Sequence, residues 1–337
     1  MKKILEKLCK VNGVSGNEHE VRETIISLLP SNCNYVVDAL GNLIVTKQGG
    51  KPSKNKIMLS AHMDEVGMIV TSIEDDGSLK FSRVGGIDPE VIIGRQVQLE
   101  KISGVVGSKP IHLQNPEEKK KPISIDDLFI DIGAKNVDEA KELVNLGDMI
   151  YFKSDFVCFG DSKIKAKAID DRFGCAVLLE LLNSDLEYDF TCAFVVQEEV
   201  GLRGAKVASY TIDPDIAIVF EATTAADIPM APKDKKACEL GKGPVIPFMD
   251  NATIYDKELY KLVFSTAKEN NIPCQTKTVI AGGNDAGAIS QSCGGVRTLS
   301  ISIPCRYLHS ACNVVDENDM YLVVDLAKKI LPIVCDI

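Results

Sequence analysis

Imidazole and carboxylate side chains gather in five short stretches of the sequence. They are His62 and Asp64 in "LSAHMDEVG", Asp170 and Asp171 in "AIDDRFG", Glu198 and Glu199 in "VVQEEVG", Glu221 in "IAIVFE", and His309 in "IPCRYLHS". Each lies just past an apolar run that reads as a buried strand, or at the mouth of a helix. In open α/β sheets the carboxyl ends of strands are where ligands bind. Two histidines and several carboxylates converging there offer hard N and O donors suited to a divalent metal. His62 and Asp64 are two apart, so on an extended segment they share a face. The carboxylate can then take the second ring N–H and fix the tautomer. Glu198 and Glu199 would point to opposite faces of a regular strand. They can serve one site only where the strand ends, which Gly201 permits.

Each stretch also has a plainer reading. Asp171 could simply cap the helix that follows it, and an exposed Glu-Glu pair is usually solvated surface. "VVQEEVG", however, abuts a buried run, where adjacent like charges cost several kcal/mol unless compensated. The chain has 4 histidines. His19, in a polar helix, and His112, in a β-domain strand, read as structural.

The elements that must position these groups follow from periodicity. "MKKILEKLCKV" places Ile4, Leu5, Leu8 and Val11 on one helical face. Ser15 to Glu18 has capping-box spacing ahead of a second helix that Pro30 closes. "YVVDALGNLIVTKQGG" predicts a hairpin turning near Gly41-Asn42, and "KIMLSA" a buried strand. From Gly67 to about Phe159 the texture changes to short strand-like pieces punctuated by glycine, with helical periodicity only in "NVDEAKELV". That pattern predicts a small β-rich, barrel-like domain. Beyond it, helical and strand signals alternate again to the terminal helix "ENDMYLVVDLAKKILPIV". The simplest organisation is an α/β mixed-sheet domain (1–66 and 160–337) interrupted by a β-barrel-like insertion (67–159).

Composition narrows the function. The 337 residues carry a net charge of −10, which disfavours nucleic acid or an acidic membrane surface as partner. There is no signal-peptide pattern and no long apolar run, so the expectation is a cytoplasmic protein. The 11 cysteines are odd in number and form no C-x-x-C, which predicts buried reduced thiols over a disulfide framework or structural zinc.

In order, "AHMDEVG", "AIDDRFG", "QEEVGLRGA", "FEATTAADIP", "AGGNDAG" and "IPCRYLHS" resemble the tetrahedral (TET-type) aminopeptidases, which include the glutamyl aminopeptidases. The resemblance runs over nearly the whole chain, insertion included. It implies a dinuclear metallopeptidase fold with two divalent ions per subunit, zinc foremost, with cobalt and manganese open. His62 would bind one ion and His309 the other, with Asp170 bridging and Glu199 and Glu221 completing the sites. Glu198 would be the general base, with Asp64 orienting His62. Two such ions ~3.5–4 Å apart can share and acidify one water, whose proton a nearby glutamate passes to the leaving amine. Asp171, Arg172, Asp285 and Arg306 are candidate supporting or substrate contacts. The family more often has Asp at Glu221 and Thr at Asn284. It also implies peptide substrates and dimers that build a dodecamer through the inserted domain.

Two other readings fit parts of the pattern. A dinuclear deacylase, deblocking peptidase or carboxypeptidase shares the chemistry, but a carboxypeptidase needs an arginine poised for the substrate carboxylate. Lid domains of those relatives also carry α-helical pairs that this insertion lacks. A glycoside hydrolase (endoglucanase) needs two carboxyls ~5–9.5 Å apart across the scissile bond. Sugar clefts also favour aromatic platforms, for which a chain with 0 Trp and 6% aromatics is poorly equipped.

Overall fold

The computed structural model describes residues 1–232 and 235–337. Helices α1 (Lys2–Cys9) and α2 (His19–Ile26) precede the hairpin β1 (Cys33–Val37) and β2 (Leu43–Lys47), and then β3 (Ile57–His62). The insertion follows as β4 (Gly67–Ile73), β5 (Leu79–Val84), α3 (Pro89–Ile92), β6 (Gln96–Leu99), β7 (Ile102–Ser108), β8 (Leu128–Asp131), α4 (Val137–Leu143) and β9 (Met149–Phe152). The chain continues through β10 (Val157–Phe159), β11 (Lys163–Ala166), α5 (Ile169–Leu182), β12 (Phe190–Val195), α6 (Arg203–Ile212) and β13 (Ile216–Thr224). It ends with β14 (Val245–Pro247), α7 (Lys257–Glu269), β15 (Gln275–Lys277), α8 (Ala286–Ser290), β16 (Arg297–Cys305), β17 (Asn313–Asp316) and α9 (Glu317–Asp336).

The main sheet is mixed, in the order β1-β2-β12-β3-β13-β16-β14-β15. Its centre, β12-β3-β13-β16, is parallel, while the β1-β2-β12 flank is antiparallel. Every residue of β3 is buried because both faces of the sheet are covered. Ile57, Leu59 and Ala61 join the large core beneath α1, α5, α7 and α9. Met58 faces the smaller core under α6 and α8, and Ser60 and His62 follow it by alternation. That parity puts His62 on the α6/α8 side at the carboxyl end of the strand.

The insertion is a closed barrel, β4-β5-β8-β7-β6-β9, with its own core that includes Met68, Val70, Phe81, Val97, Ile130 and Phe152. The strand Val157–Phe159 lies outside it, pairing with β11, which in turn pairs with β17.

Several local expectations are corrected. The Ser15–Glu18 spacing forms no capping box: the helix starts at His19, and Glu18 makes no side-chain cap bond. That helix stops at Ile26 rather than running on to Pro30. His112 lies on an exposed 3-10 turn, Ile111–Leu113, not in a strand. Of the thiols, Cys158 and Cys293 are exposed, and all the cysteines are unpaired.

Candidate metal centre

Asp64 is the hub on which the site is assembled. It is fully buried, and one of its oxygens, Oδ1, lies 3.4 Å from His62 Nδ1, whose ring also sits 3.1 Å from the Asp64 carbonyl. The Glu198 amide donates to Oδ1 at 3.0 Å and the Glu199 amide to Oδ2 at 3.1 Å. The Ser15 hydroxyl donates to Oδ2 at 2.7 Å. Burial alone would push the Asp64 carboxyl up; His62, Ser15 and the Glu198 amide outweigh it and hold it below the usual range. β12 ends at Val195, and Gln197 turns the chain in the left-handed region at φ 57°. Adjacent Glu198 and Glu199 are thus freed from strand alternation and both stand at the site.

Glu221 arrives from the neighbouring strand. Ser60 is level with Val219, so two residues further on Glu221 is level with His62, and its Oε1 lies 3.7 Å from His62 Nε2. β13 continues to Thr224, so Glu221 is inside a strand rather than past its end. Asp170 stands in the non-helical first turn of α5 and faces both imidazoles. Its Oδ1 is 3.3 Å from His62 Nε2 and its Oδ2 is 3.6 Å from His309 Nε2. His309 Nε2 is also 3.4 Å from Glu199 Oε2, and its Nδ1 meets the Gly86 carbonyl of the insertion at 2.8 Å.

Donor atoms of His62, Glu198 and Glu221 lie within 4.8 Å of one another, as do those of His62, Asp170 and Glu199. Crowded carboxylates this deeply buried repel each other. Burial first, then the Asp170 charge, pushes Glu221 up to about 8. Burial, with the Asp170 charge, raises Glu199 well above the usual range. Burial, with Asp285, Glu221 and Glu199, does the same to Glu198 against the pull of His62. His62 is raised although burial opposes it, because Glu221, Glu198, Asp170 and Asp64 surround it. Oxygen and imidazole donors in two abutting groups, with a surplus of negative charge, fit hard or borderline divalent cations.

Other predicted residues have different surroundings. Asp171 accepts the backbone N–H groups of His62 at 3.3 Å and Gly174 at 2.8 Å. Arg172 is fully buried against Glu65 and the Leu8 carbonyl. Asp285 is fully buried with neither oxygen hydrogen-bonded; burial, with the Asp64 charge, pushes it up to about 7 against His62. Arg306 grips Asp227 with two bonds, at 2.6 and 2.8 Å. Neither Asp285 nor Arg306 lines the cleft over the site, a cavity of about 440 Å³. Asn284 does line it, its side chain taken up by Ala286, Tyr255 and Ser300.

Sequence reasoning passed over Lys235 and Lys277, which line the cleft and sit in no recognisable motif. It also passed over Ser15 and Glu18 as site builders, although their spacing was conspicuous. Among the described residues, no Trp, Tyr or Phe lines this cleft, which leaves a sugar without a stacking platform.

The model of the M42 glutamyl aminopeptidase family matches residues 41–326. A putative aminopeptidase of Acetivibrio thermocellus is 43% identical over 329 residues, 96% of this chain and 96% of that protein. A TET1 peptidase structure from Pyrococcus horikoshii, described as able to assemble into a tetrahedron or a large octahedral shell, is 38% identical with a TM-score of 0.84, covering 97% of this chain and 98% of that one. A Thermotoga maritima structure carrying the name endoglucanase is 37% identical, with a TM-score of 0.80 over 98% and 99% of the two chains.

Proposed function

The chain belongs to the M42 glutamyl aminopeptidase family and is a metal-dependent aminopeptidase, and on that premise we propose how its residues divide the work. His62 and Glu221 would hold one divalent ion and His309 and Glu199 a second, with Asp170 offering a carboxylate oxygen to each. The observation that carries this reading is the Asp170 carboxylate, which turns one oxygen to each histidine. The ions are zinc, with cobalt and manganese the alternatives to test. When bound, they supply Lewis acidity, polarising the scissile carbonyl and lowering the pKa of water.

The protein's own groups do the rest. Asp64 receives the Nδ1 side of His62, which leaves Nε2 free to face Asp170 and Glu221. Glu198 accepts the proton of the attacking water and delivers it to the departing amine nitrogen. The carboxylates of the site attract the substrate's free α-ammonium. Lys235 and Lys277, lining the same cleft, select an acidic side chain on the N-terminal residue.

The proposed organisation is a catalytic unit of 1–66 and 160–337 around an inserted assembly unit of 67–159. The last of these strands, Val157–Phe159, joins β11 instead of the barrel. Ile111 and Leu113 are 72% and 61% exposed on the insertion, apolar surface suited to burial between copies in a dimer-based dodecamer. Light scattering that finds a monomer at micromolar concentration removes that assembly. Among the described residues no helix is long and apolar enough to cross a membrane, and we propose a cytoplasmic location, to be checked by cell fractionation.

The deciding experiment strips the protein with a chelator, restores zinc, cobalt or manganese in turn, and assays aminoacyl-anilides with free and acetylated amines. Metal-dependent turnover of free-amine substrates alone is expected. Full activity in verified metal-free protein refutes the metal reading, and efficient cleavage of acetylated substrates makes the enzyme a deblocking peptidase.

A further inference from the structure

The Ser15–Glu18 motif caps no helix, and both of its ends reach the metal centre instead. The segment is held down against the site on several sides. Val14 bridges to Glu65, the Glu65 amide donates to the Gly13 carbonyl at 2.9 Å, and Asn17 donates to the barrel residue Tyr151 at 2.6 Å. Ser15 and Glu18 are each 5% exposed.

Ser15 Oγ donates to Asp64 Oδ2 at 2.7 Å. Together with the Glu198 and Glu199 amides, it gives the Asp64 carboxylate three hydrogen bonds from two separate parts of the chain, with the His62 ring 3.4 Å from Oδ1. Both carboxylate oxygens are thus held by fixed donors, which sets the orientation of the group. Glu18 Oε1 accepts the Gly16 amide at 2.8 Å and the Gln197 amide at 3.1 Å. Gln197 is the residue whose positive φ swings Glu198 and Glu199 to the site. Without that acceptor the turn keeps its strain and loses a hydrogen bond.

We propose that Ser15 and Glu18 are positioning residues of the metal centre: Ser15 fixes the carboxylate that aims His62, and Glu18 fixes the turn that presents Glu198 and Glu199. The inference rests on the roles assigned above to His62, Glu198 and Glu199. It makes the N-terminal segment a working part of a site whose other members come from strands, turns and the start of α5 farther along the chain.

The test uses the full-length protein and the variants Ser15→Ala, Ser15→Thr, Glu18→Ala and Glu18→Gln. Zinc affinity is measured by competition with a chromophoric chelator, kcat and KM separately with one anilide, and melting temperature on the same samples. Outer partners of metal ligands are typically worth about 10–100-fold in affinity or activity. Ser15→Ala and Glu18→Ala, one contact further out, should therefore weaken zinc binding or lower kcat by about tenfold, the lower end of that range, with KM little changed. Ser15→Thr keeps the hydroxyl and Glu18→Gln keeps the acceptor oxygen, so both should recover most of the loss. Alanine variants that bind zinc and turn over like the parent overturn the proposal. So do Thr and Gln variants as impaired as the alanine ones, which would make the roles packing or charge. The aminopeptidase reading fails in a different way, through a parent protein that binds zinc and cleaves no peptide.

Discussion

Glu65→Gln should cost this protein more stability than any single surface charge. The Glu65 side chain is 2% exposed and accepts from Lys167 Nζ at 2.7 and 3.0 Å, from Arg172 Nη2 at 3.3 Å and from the Gly13 amide at 3.0 Å. Lys167 and Arg172 are themselves 3% and 0% exposed. Burial, and secondarily the Arg172 charge, already depresses the Lys167 ammonium, while Glu65 opposes that shift. Removing one member of a buried pair costs about 3–5 kcal/mol, because the partner is left uncompensated. Here one neutralised carboxylate strands two cations, which places the loss in the upper part of that range. With ~2.1 cal/mol/K of unfolding entropy per residue, the 337 residues convert a loss of about 4–5 kcal/mol to a fall of about 6–7 °C in melting temperature. Lys167→Met should cost less, since Arg172 and Glu65 remain paired. Calorimetry at fixed protein concentration, with urea unfolding as a second measure, reads both variants. A Glu65→Gln loss below about 1 kcal/mol, the ordinary value of an exposed pair, or a larger loss in Lys167→Met, would falsify the buried-charge argument.

Three further outcomes are expected. Glu198→Gln should lower turnover by roughly 10²–10⁴ with metal content nearly unchanged, whereas Glu199→Gln should lose or loosen at least one ion. Native mass spectrometry beside rate measurements exchanges the two roles if the pattern is reversed. Lys277→Glu should cut kcat/KM for a glutamyl-anilide by at least about tenfold relative to a leucyl-anilide, the effect of a roughly 1.4 kcal/mol change in differential binding; an unchanged ratio removes Lys277 from specificity. Arg306→Met should destabilise only where Asp227 is ionised. Burial pushes the Asp227 carboxyl up, but Arg306 and the Leu240 amide overcome it and leave its pKa depressed. A depressed carboxylate contributes stability that is present above its unfolded pKa, near 4, and lost as pH falls through its folded value. The difference in melting temperature between parent and variant should thus be largest above pH ~5 and shrink toward pH ~3, and a difference independent of pH sinks the pairing.

What could be read in the sequence and what could not divide along a physical line. β3 was legible because its run of apolar or small residues reads as a covered strand, as the burial of all six positions bears out, and the two-residue spacing of His62 and Asp64 carries straight into the structure. The barrel was legible as a change of texture, since short glycine-punctuated strands have few other ways to bury their faces. The Glu198–Glu199 turn was legible only in part. The sequence suggested a strand end and pointed to Gly201, whereas the chain actually swings at Gln197, ahead of the glutamates. Nothing local favours a positive φ at a glutamine. What holds it there are the carboxylates of Glu18 and Asp64, contributed from residues more than a hundred positions earlier.

Arg306 follows the same rule. Its charge was visible and suggested a substrate contact, but its partner Asp227 lies 79 residues away, and a cation already held by two short bonds has little left to offer a substrate. Ser15 and Glu18 had spacing that matches a capping box, and a local rule assigned them to the nearest helix. The fold instead brings Asp64 and the Gln197 amide within reach, and those partners satisfy the same donors and acceptors more fully than a helix end would. Ligand types and strand parity are properties of short segments and survive folding unchanged. Positioning contacts are properties of the closed chain, so a polar motif that fits a local role can be recruited by a buried site wherever the topology lays it alongside.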